Sequence, residues 1–167
     1  MNKKYVLIAV VVLALAGIFL FVSNGHGKTP AQLRSELSKK GYEFYGKITE
    51  IDRGEPINMG VLGKQKSQMG ELIVTLRTGQ VIFFYEYGSA KEADKHCQDY
   101  VEEYKKRSKF SSWTKFGVNV YEFDEMENDP DSYIMISRVK NTMIIIGGKE
   151  AGKDAIIALA KDIGYYK

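Results

Sequence analysis

The stretch ELIVTLRTGQVIFFYEY, residues 71–87, decides the fold of this chain. Its first part alternates apolar and polar side chains, so that Leu72, Val74 and Leu76 share one face of a strand. The letters TGQ supply a turn, and the second part consists of strong strand formers. The stretch therefore predicts a β-hairpin, and the sheet that contains it must be antiparallel at this point.

The second strand of this hairpin is apolar on both faces. Four apolar or aromatic side chains beginning with Val81 take one face, and Ile82 and Phe84 take the other. Such a strand is usually central in its sheet or covered on its second side. Either a short helix over residues 30–40 covers part of the second face, or an aromatic surface stays open for a partner. In the latter interpretation Ile82 and Phe84 form a candidate interaction surface, with a long loop over 53–70 at its rim.

Outward from the hairpin, the two halves of the chain repeat one order of elements: strand, hairpin, helix. In the first half YEFYGKITEID (42–52) predicts a strand, and Ser89 caps a helix. The elements of the second half are a strand in VNVYEF (118–123), a hairpin of SYIMISRV (132–139) and TMIII (142–146), and a helix that begins near Lys149. We therefore expect an α+β domain, in which an antiparallel sheet of about six strands carries two helices packed on one face. A duplicated strand-hairpin-helix unit is one interpretation of the repeat.

The N-terminus predicts a membrane anchor. Residues 5–22, YVLIAVVVLALAGIFLFV, carry no charge. As a helix they would span about 27 Å, close to the hydrocarbon thickness of a bilayer. Lys3 and Lys4 favour a cytoplasmic N-terminus. The alternative is a signal peptide that is cleaved after the A-x-A pattern of Ala14 and Ala16.

The expected organisation has three parts. Residues 1–22 form an uncleaved N-terminal transmembrane helix. Residues 23–41 form a neck with a short amphipathic helix, for which Thr29 is the N-cap and Gln32 completes a capping box. Residues 42–167 form an extracytoplasmic α+β domain, which makes the chain a single-pass protein of the cell membrane.

Charge and cysteine content exclude several classes of protein. The chain has 24 basic and 21 acidic residues, and two of the basic ones lie before residue 5. The remainder is therefore nearly balanced and lacks the basic surface of a nucleic-acid binder. Cys97 is the sole cysteine, so no disulfide can form within the chain.

The stretch IIIGGKEAGKD, residues 144–154, comes close to a phosphate-binding loop. Asp154 stands where that motif needs a serine or threonine for magnesium. The preceding hairpin indicates an antiparallel sheet, whereas P-loop folds use parallel strands. Gly147 and Gly148 are more simply interpreted as turn residues between a strand and a helix, and we expect no nucleotide site.

Metal-binding and catalytic residues are not indicated elsewhere. The acidic stretch DEMENDPDS, 124–132, could bind calcium, but it lacks the glycine and the glutamate of an EF-hand loop, and a solvated acidic loop is the simpler interpretation. His26 lies in the neck. His96 and Cys97 are helical neighbours that point about 100° apart, so they do not form a dyad. We predict no catalytic residue, cofactor or metal ligand.

These observations predict a membrane-anchored extracytoplasmic binding module, an accessory component of a cell-envelope assembly that binds a protein partner or associates with itself. Two alternatives remain. One is an envelope hydrolase that uses carboxylates, and the other is a domain that binds a lipid or a small apolar ligand.

Overall fold

The computed structural model describes residues 27–51 and 68–167, which form one seven-stranded antiparallel sheet and three α-helices. The elements are α1 (Pro30–Lys39), β1 (Phe44–Ile51), β2 (Gln68–Leu76), β3 (Val81–Tyr87), α2 (Ala90–Lys105), β4 (Lys109–Lys115), β5 (Val118–Met126), β6 (Asp129–Val139), β7 (Thr142–Lys149), a 3-10 turn (Glu150–Gly152) and α3 (Lys153–Asp162). Across the sheet the strand order is β1-β2-β3-β7-β6-β5-β4.

The prediction of about six strands was wrong because it missed β4. The letters KFSSWTK do not alternate between apolar and polar, and only Trp113 of this strand is half-buried. Among the described strands β4 is an outer one with a single neighbour, so it needs little apolar surface. Its pairing with β5 is what makes it a strand.

The prediction that two helices pack on one face was also wrong. Helices α1 and α3 pack on one face through buried side chains that include Leu33, Leu37 and Ile156. Helix α2 packs on the opposite face through Ala93, Cys97 and Val101. Both faces of the central strands β3 and β7 are therefore apolar because both are covered by helices.

The repeat of elements is not a duplication with two-fold symmetry. The strands that precede α2 and α3 are β3 and β7, and these are antiparallel neighbours. A two-fold axis that exchanges two antiparallel neighbours is perpendicular to the sheet, so it would leave both helices on the same face. Because α2 and α3 lie on opposite faces, the two halves are not related by such an axis.

The predicted transmembrane helix of residues 5–22 lies outside the described residues. Within residues 27–51 and 68–167, none of the helices is both long enough and apolar enough to cross a bilayer.

The chain enters the domain at one end of the sheet, which we call the neck end. There the Gly27 amide donates to Asn141 Oδ1 at 2.5 Å, and Asn141 Nδ2 donates to the carbonyl of Tyr87 at 2.7 Å. Helix α1 starts beside β2, since a Cβ atom on Gly70 would lie 2.8 Å from Pro30. The opposite end, which we call the far end, carries the β2–β3 turn, the β5–β6 turn and the C-terminus of α2.

Candidate functional site

Ile82 and Phe84 do not form an open surface in the structure. Both side chains are fully buried, beneath α1 and α3. The Phe84 ring meets the edge of the Tyr165 ring at a centroid distance of 6.3 Å. Helix α1 supplies the second cover that the sequence left as one of two interpretations. The predicted rim, 53–70, extends largely outside the described residues, and its last three residues belong to β2 rather than to a loop.

The more open surface lies on the other face of the same strands. Near the neck end α2 covers this face, where the Tyr87 ring stacks on His96 at 5.0 Å and the Tyr85 ring stacks on Tyr100 at 6.3 Å. Helix α2 ends at Lys105. Val81 is half-buried and lines the same groove as Arg107, which follows the end of α2. The uncovered part of the sheet forms a groove at the far end.

The floor of this far-end groove lies at Gly147, which has no side chain to fill the space above it. Gly147 pairs with Val81 of β3 on one side and with Ile134 of β6 on the other, so the three residues form a row across the sheet. A Cβ atom on Gly147 would have Ile134 as its nearest neighbour, at 4.0 Å, an ordinary van der Waals contact. The position is therefore vacant between two half-buried aliphatic side chains. The groove has a volume of about 470 Å³ and is open to solvent on one side.

The rim of the groove carries charges of both signs. The Lys149 ammonium lies 3.1 Å from Asp129 Oδ1 across the β6–β7 pair, and Arg107 lies 2.6 Å from Glu103. The Glu127 amide donates to the Arg107 carbonyl at 2.7 Å, which joins the β5–β6 turn to the end of α2. The groove thus combines an apolar floor with a polar, solvated rim, as binding surfaces commonly do.

The structure corrects the interpretation of the stretch 144–154. Gly147 and Gly148 are strand residues of β7, and the turn before α3 is the 3-10 segment Glu150–Gly152. The absence of a side chain has a different consequence at each of the two glycines. Gly147 leaves the groove open, whereas a Cβ atom on Gly148 would lie 3.1 Å from Ile156 of α3. Lys153, which occupies the lysine position of the near-motif, donates to Asp124 at 2.9 Å.

The acidic stretch 124–132 is mostly strand, and Glu127 and Asn128 form its turn. Three of its five carboxylates pair separately with lysines rather than converging on one point. The pairs are Asp124 with Lys153 at 2.9 Å, Glu125 with Lys109 at 2.5 Å and Asp129 with Lys149 at 3.1 Å. Within the described residues no group of three or more histidine, cysteine or acidic side chains is placed to hold a metal ion.

His96 and Cys97 face a packed interior. Burial raises the pKa of the Cys97 thiol to about 12, and burial lowers the pKa of His96, an effect that Asp99 partly opposes. The His96 ring stacks on the Tyr87 ring. His26 lies outside the described residues.

A second polar cluster, on the α3 face, was not predicted. Burial is the largest cause that raises the pKa of Tyr133, and the nearby Glu122 and Asp124 carboxylates raise it further. The Lys153 ammonium lies 4.6 Å from the centre of the Tyr133 ring. The Trp113 and Tyr166 rings meet edge to face at 4.8 Å and are packed against this side of the core. These residues hold the C-terminus against β4 and β5, and spacing along the sequence did not indicate that they meet.

Comparisons with known proteins leave the function open. No protein-family model matches the sequence, and a search of curated proteins finds no match. A solved structure described as a GTP binding regulator from Thermotoga maritima is similar, with 16% sequence identity, 84% of this chain and 91% of that chain covered, and a TM-score of 0.46. Similarity at this level supports no argument about this chain, so the functional proposal rests on its own surfaces.

Proposed function

We propose that this protein is a single-pass membrane protein whose extracytoplasmic domain binds a partner protein through the far-end groove, as an accessory component of a cell-envelope assembly. The observation that carries the proposal is the vacant position at Gly147, between Val81 and Ile134. The uncharged stretch 5–22 is the proposed anchor.

The position of the groove in the domain supports a tethered binding role. Strand β7 begins at the neck end and advances about 3.4 Å per residue, which places Gly147 about 17 Å along the strand from Thr142. With the anchor in the bilayer and the neck leading to Gly27, the groove would face away from the membrane. A partner could then reach it without competing with the bilayer.

The shape of the groove favours apolar side chains of a partner protein as its occupant. Its volume is within the range of roughly 300–1,000 Å³ that ligand sites have, but it is open on one side. A small molecule that lay there would keep much of its surface in water. A partner protein would cover the open side while its apolar side chains filled the position beside Gly147, in the manner of an interface centre surrounded by a polar rim.

The test is site-specific photocrosslinking of the full-length protein in native membranes. A photoreactive residue at Asn128, which is exposed on the rim, should crosslink to one partner. Gly147→Val fills the vacant position and should abolish the adduct, while Gly147→Ala should weaken it less. The matched control is a photoreactive residue at Lys39, an exposed position of α1 on the opposite face of the sheet. It should give no such adduct.

Two results would contradict the proposal. One is an Asn128 adduct of unchanged yield in the Gly147→Val protein, and the other is the same adduct formed equally from Lys39.

The alternative of a small apolar ligand is supported by the groove volume alone. Mass spectrometry of the gently purified protein separates it from the leading proposal. A lipid-like molecule that is carried by the unmodified protein and missing from Gly147→Val would make the groove a ligand site instead.

A further inference from the structure

The outer strand β4 is an uninterrupted template for a further strand. All seven of its residues pair with β5, from Lys109 opposite Asp124 to Lys115 opposite Val118, without a shift in register. Within the described residues β4 lies at the margin of the sheet, and its other side has no strand beside it. Among the described residues, no strand pairs with the backbone N–H and C=O groups on that side, which an extended segment of another protein could therefore meet.

The opposite margin of the sheet is protected, which makes the two edges different. Strand β1 breaks its register with β2 between Tyr45 and Thr49, and Gly46 in the break has φ of 75°. A bulge of this kind twists an edge away from further pairing. No such bulge interrupts β4.

Charge decides what β4 can accept. Strand β4, KFSSWTK, carries two cationic side chains, Lys109 and Lys115, and no acidic one. If two copies paired antiparallel along the whole of β4, centred on Ser112, Lys109 of each copy would face Lys115 of the other. Like charges directly opposite each other destabilise a strand pair, so this edge disfavours a second copy and favours an acidic segment.

The two lysines at the ends of β4 define the pattern of that segment. Lys109 and Lys115 are six residues apart and therefore point to the same face of the sheet. Lys109 is 71% exposed and pairs with exposed Glu125, a contact that contributes little in water, and Lys115 lies beside the Phe116 ring at 5.5 Å. Both ammonium groups can reach an added strand.

We propose that β4 binds an extended segment of a partner protein by strand addition, and that acidic residues six apart in the segment face Lys109 and Lys115. This surface is separate from the far-end groove. Gly147→Val should leave it unchanged, so the two proposals fail independently.

The test is titration of the full-length protein in detergent with the peptide DTVTVTD, followed by intrinsic fluorescence. Trp113 is the sole tryptophan of the chain and lies on β4 itself, so its emission should change on binding. The peptide KTVTVTK should bind about tenfold more weakly, since two charge pairs differ. The double variant Lys109→Glu, Lys115→Glu should reverse that preference. Because the first change places a carboxylate opposite Asp124, circular dichroism of the variant is the control for an intact sheet.

Backbone pairing is tested with two forms of DTVTVTD that carry N-methyl groups on alternate residues. Because the amides of an added strand point alternately toward and away from β4, one form should lose binding and the other should keep it. Equal binding of both forms would overturn the proposal, as would a charge preference that the double variant leaves unchanged. Self-association of the full-length protein that the double variant abolishes would also overturn it, in favour of a second copy.

Discussion

Gly147 and Gly148 are adjacent in β7 but face opposite sides of the sheet, and the space around them differs. Beyond Gly147 the nearest atom to an added Cβ belongs to Ile134 at 4.0 Å, whereas beyond Gly148 it is Ile156 Cδ1 at 3.1 Å. Neither residue has a positive φ, so an added side chain meets its neighbours rather than backbone strain. The difference in packing is therefore testable with one substitution at each site.

We expect Gly147→Val to leave the free energy of unfolding unchanged or slightly raised, because valine favours strands and the position is vacant. Gly148→Val should lower it by about 1–3 kcal/mol, since its methyl groups would be forced against α3. Urea denaturation of the two variants measures the difference, with each serving as control for the other. Equal destabilisation would mean that Gly147 is as crowded as Gly148, and the groove would lose its basis.

Individual residues of β3 and β7 also show which features could not be predicted from the sequence. The alternation in VIFFYEY correctly separated Val81 from Ile82, but both sets are apolar, so the pattern could not say which face remains more open. That depends on the covering helices, which come from distant parts of the chain. The groove itself depends on the missing side chain at Gly147. In the sequence, a glycine at the floor of a groove looks the same as a glycine in a turn.

At the scale of elements, α1 shows how a thin amphipathic helix becomes part of a core. The sequence predicted its capping box, and the structure confirms it, with Gln32 N 3.3 Å from Thr29 Oγ1 and Thr29 N 2.9 Å from Gln32 Oε1. Leu33 and Leu37 are its plainly apolar residues, and both are fully buried on the face that contains Phe84. The helix therefore closes one side of the core.

We expect Leu37→Ala to lower the free energy of unfolding by about 2–5 kcal/mol, because it leaves a cavity between α1 and the sheet. Ser35→Ala, on the exposed side of the same helix, is the matched control and should change it by less than about 0.5 kcal/mol. Urea denaturation monitored by circular dichroism measures both. A loss for Leu37→Ala no larger than that of the control would show that α1 is not part of the cooperative core.

The elements that the sequence identified were those with strong local patterns. The 71–87 hairpin, the helix capped by Ser89 and the hairpin about Lys140 and Asn141 are all present. Strand β4 was missed because an outer strand has one neighbour and carries few buried side chains, so its polar letters resemble a loop. An edge strand is defined by its pairing, which local periodicity does not contain.

At the scale of the whole molecule, the distribution of helices over two faces could not be obtained from the sequence. Each helix showed which of its own faces is buried, but not which side of the sheet it meets. The side that each helix covers depends on the connections between strands. Helix α2 connects β3 to the edge strand β4 across one face, and α3 follows β7 on the other face. One consequence of covering both faces is that phenols are buried on both sides of the sheet, and the Cys97 thiol is buried on the α2 side.

These buried groups predict a steep loss of stability in alkali. Burial raises the pKa of Tyr85, Tyr87, Tyr133 and Tyr165 far above the value of about 10 for an exposed phenol, and raises that of Cys97 to about 12. The unfolded chain loses these protons first, so their stabilising contribution is complete below the unfolded pKa and falls as the pH rises toward the folded value. Each buried phenol should therefore remove about 1.4 kcal/mol of stability per pH unit above pH 10.

The Tyr133→Phe variant isolates one phenol from the others and from the lysines, which also titrate in this range. Urea denaturation between pH 8 and pH 11.5 should show a plateau up to about pH 9 and then a decline for both proteins. The decline should be shallower in Tyr133→Phe by about one proton, or 1.4 kcal/mol per pH unit, because phenylalanine keeps the ring packed beneath Lys153 and has no proton to lose. Identical slopes would mean that Tyr133 ionises equally readily in the folded and unfolded states, and would contradict the prediction.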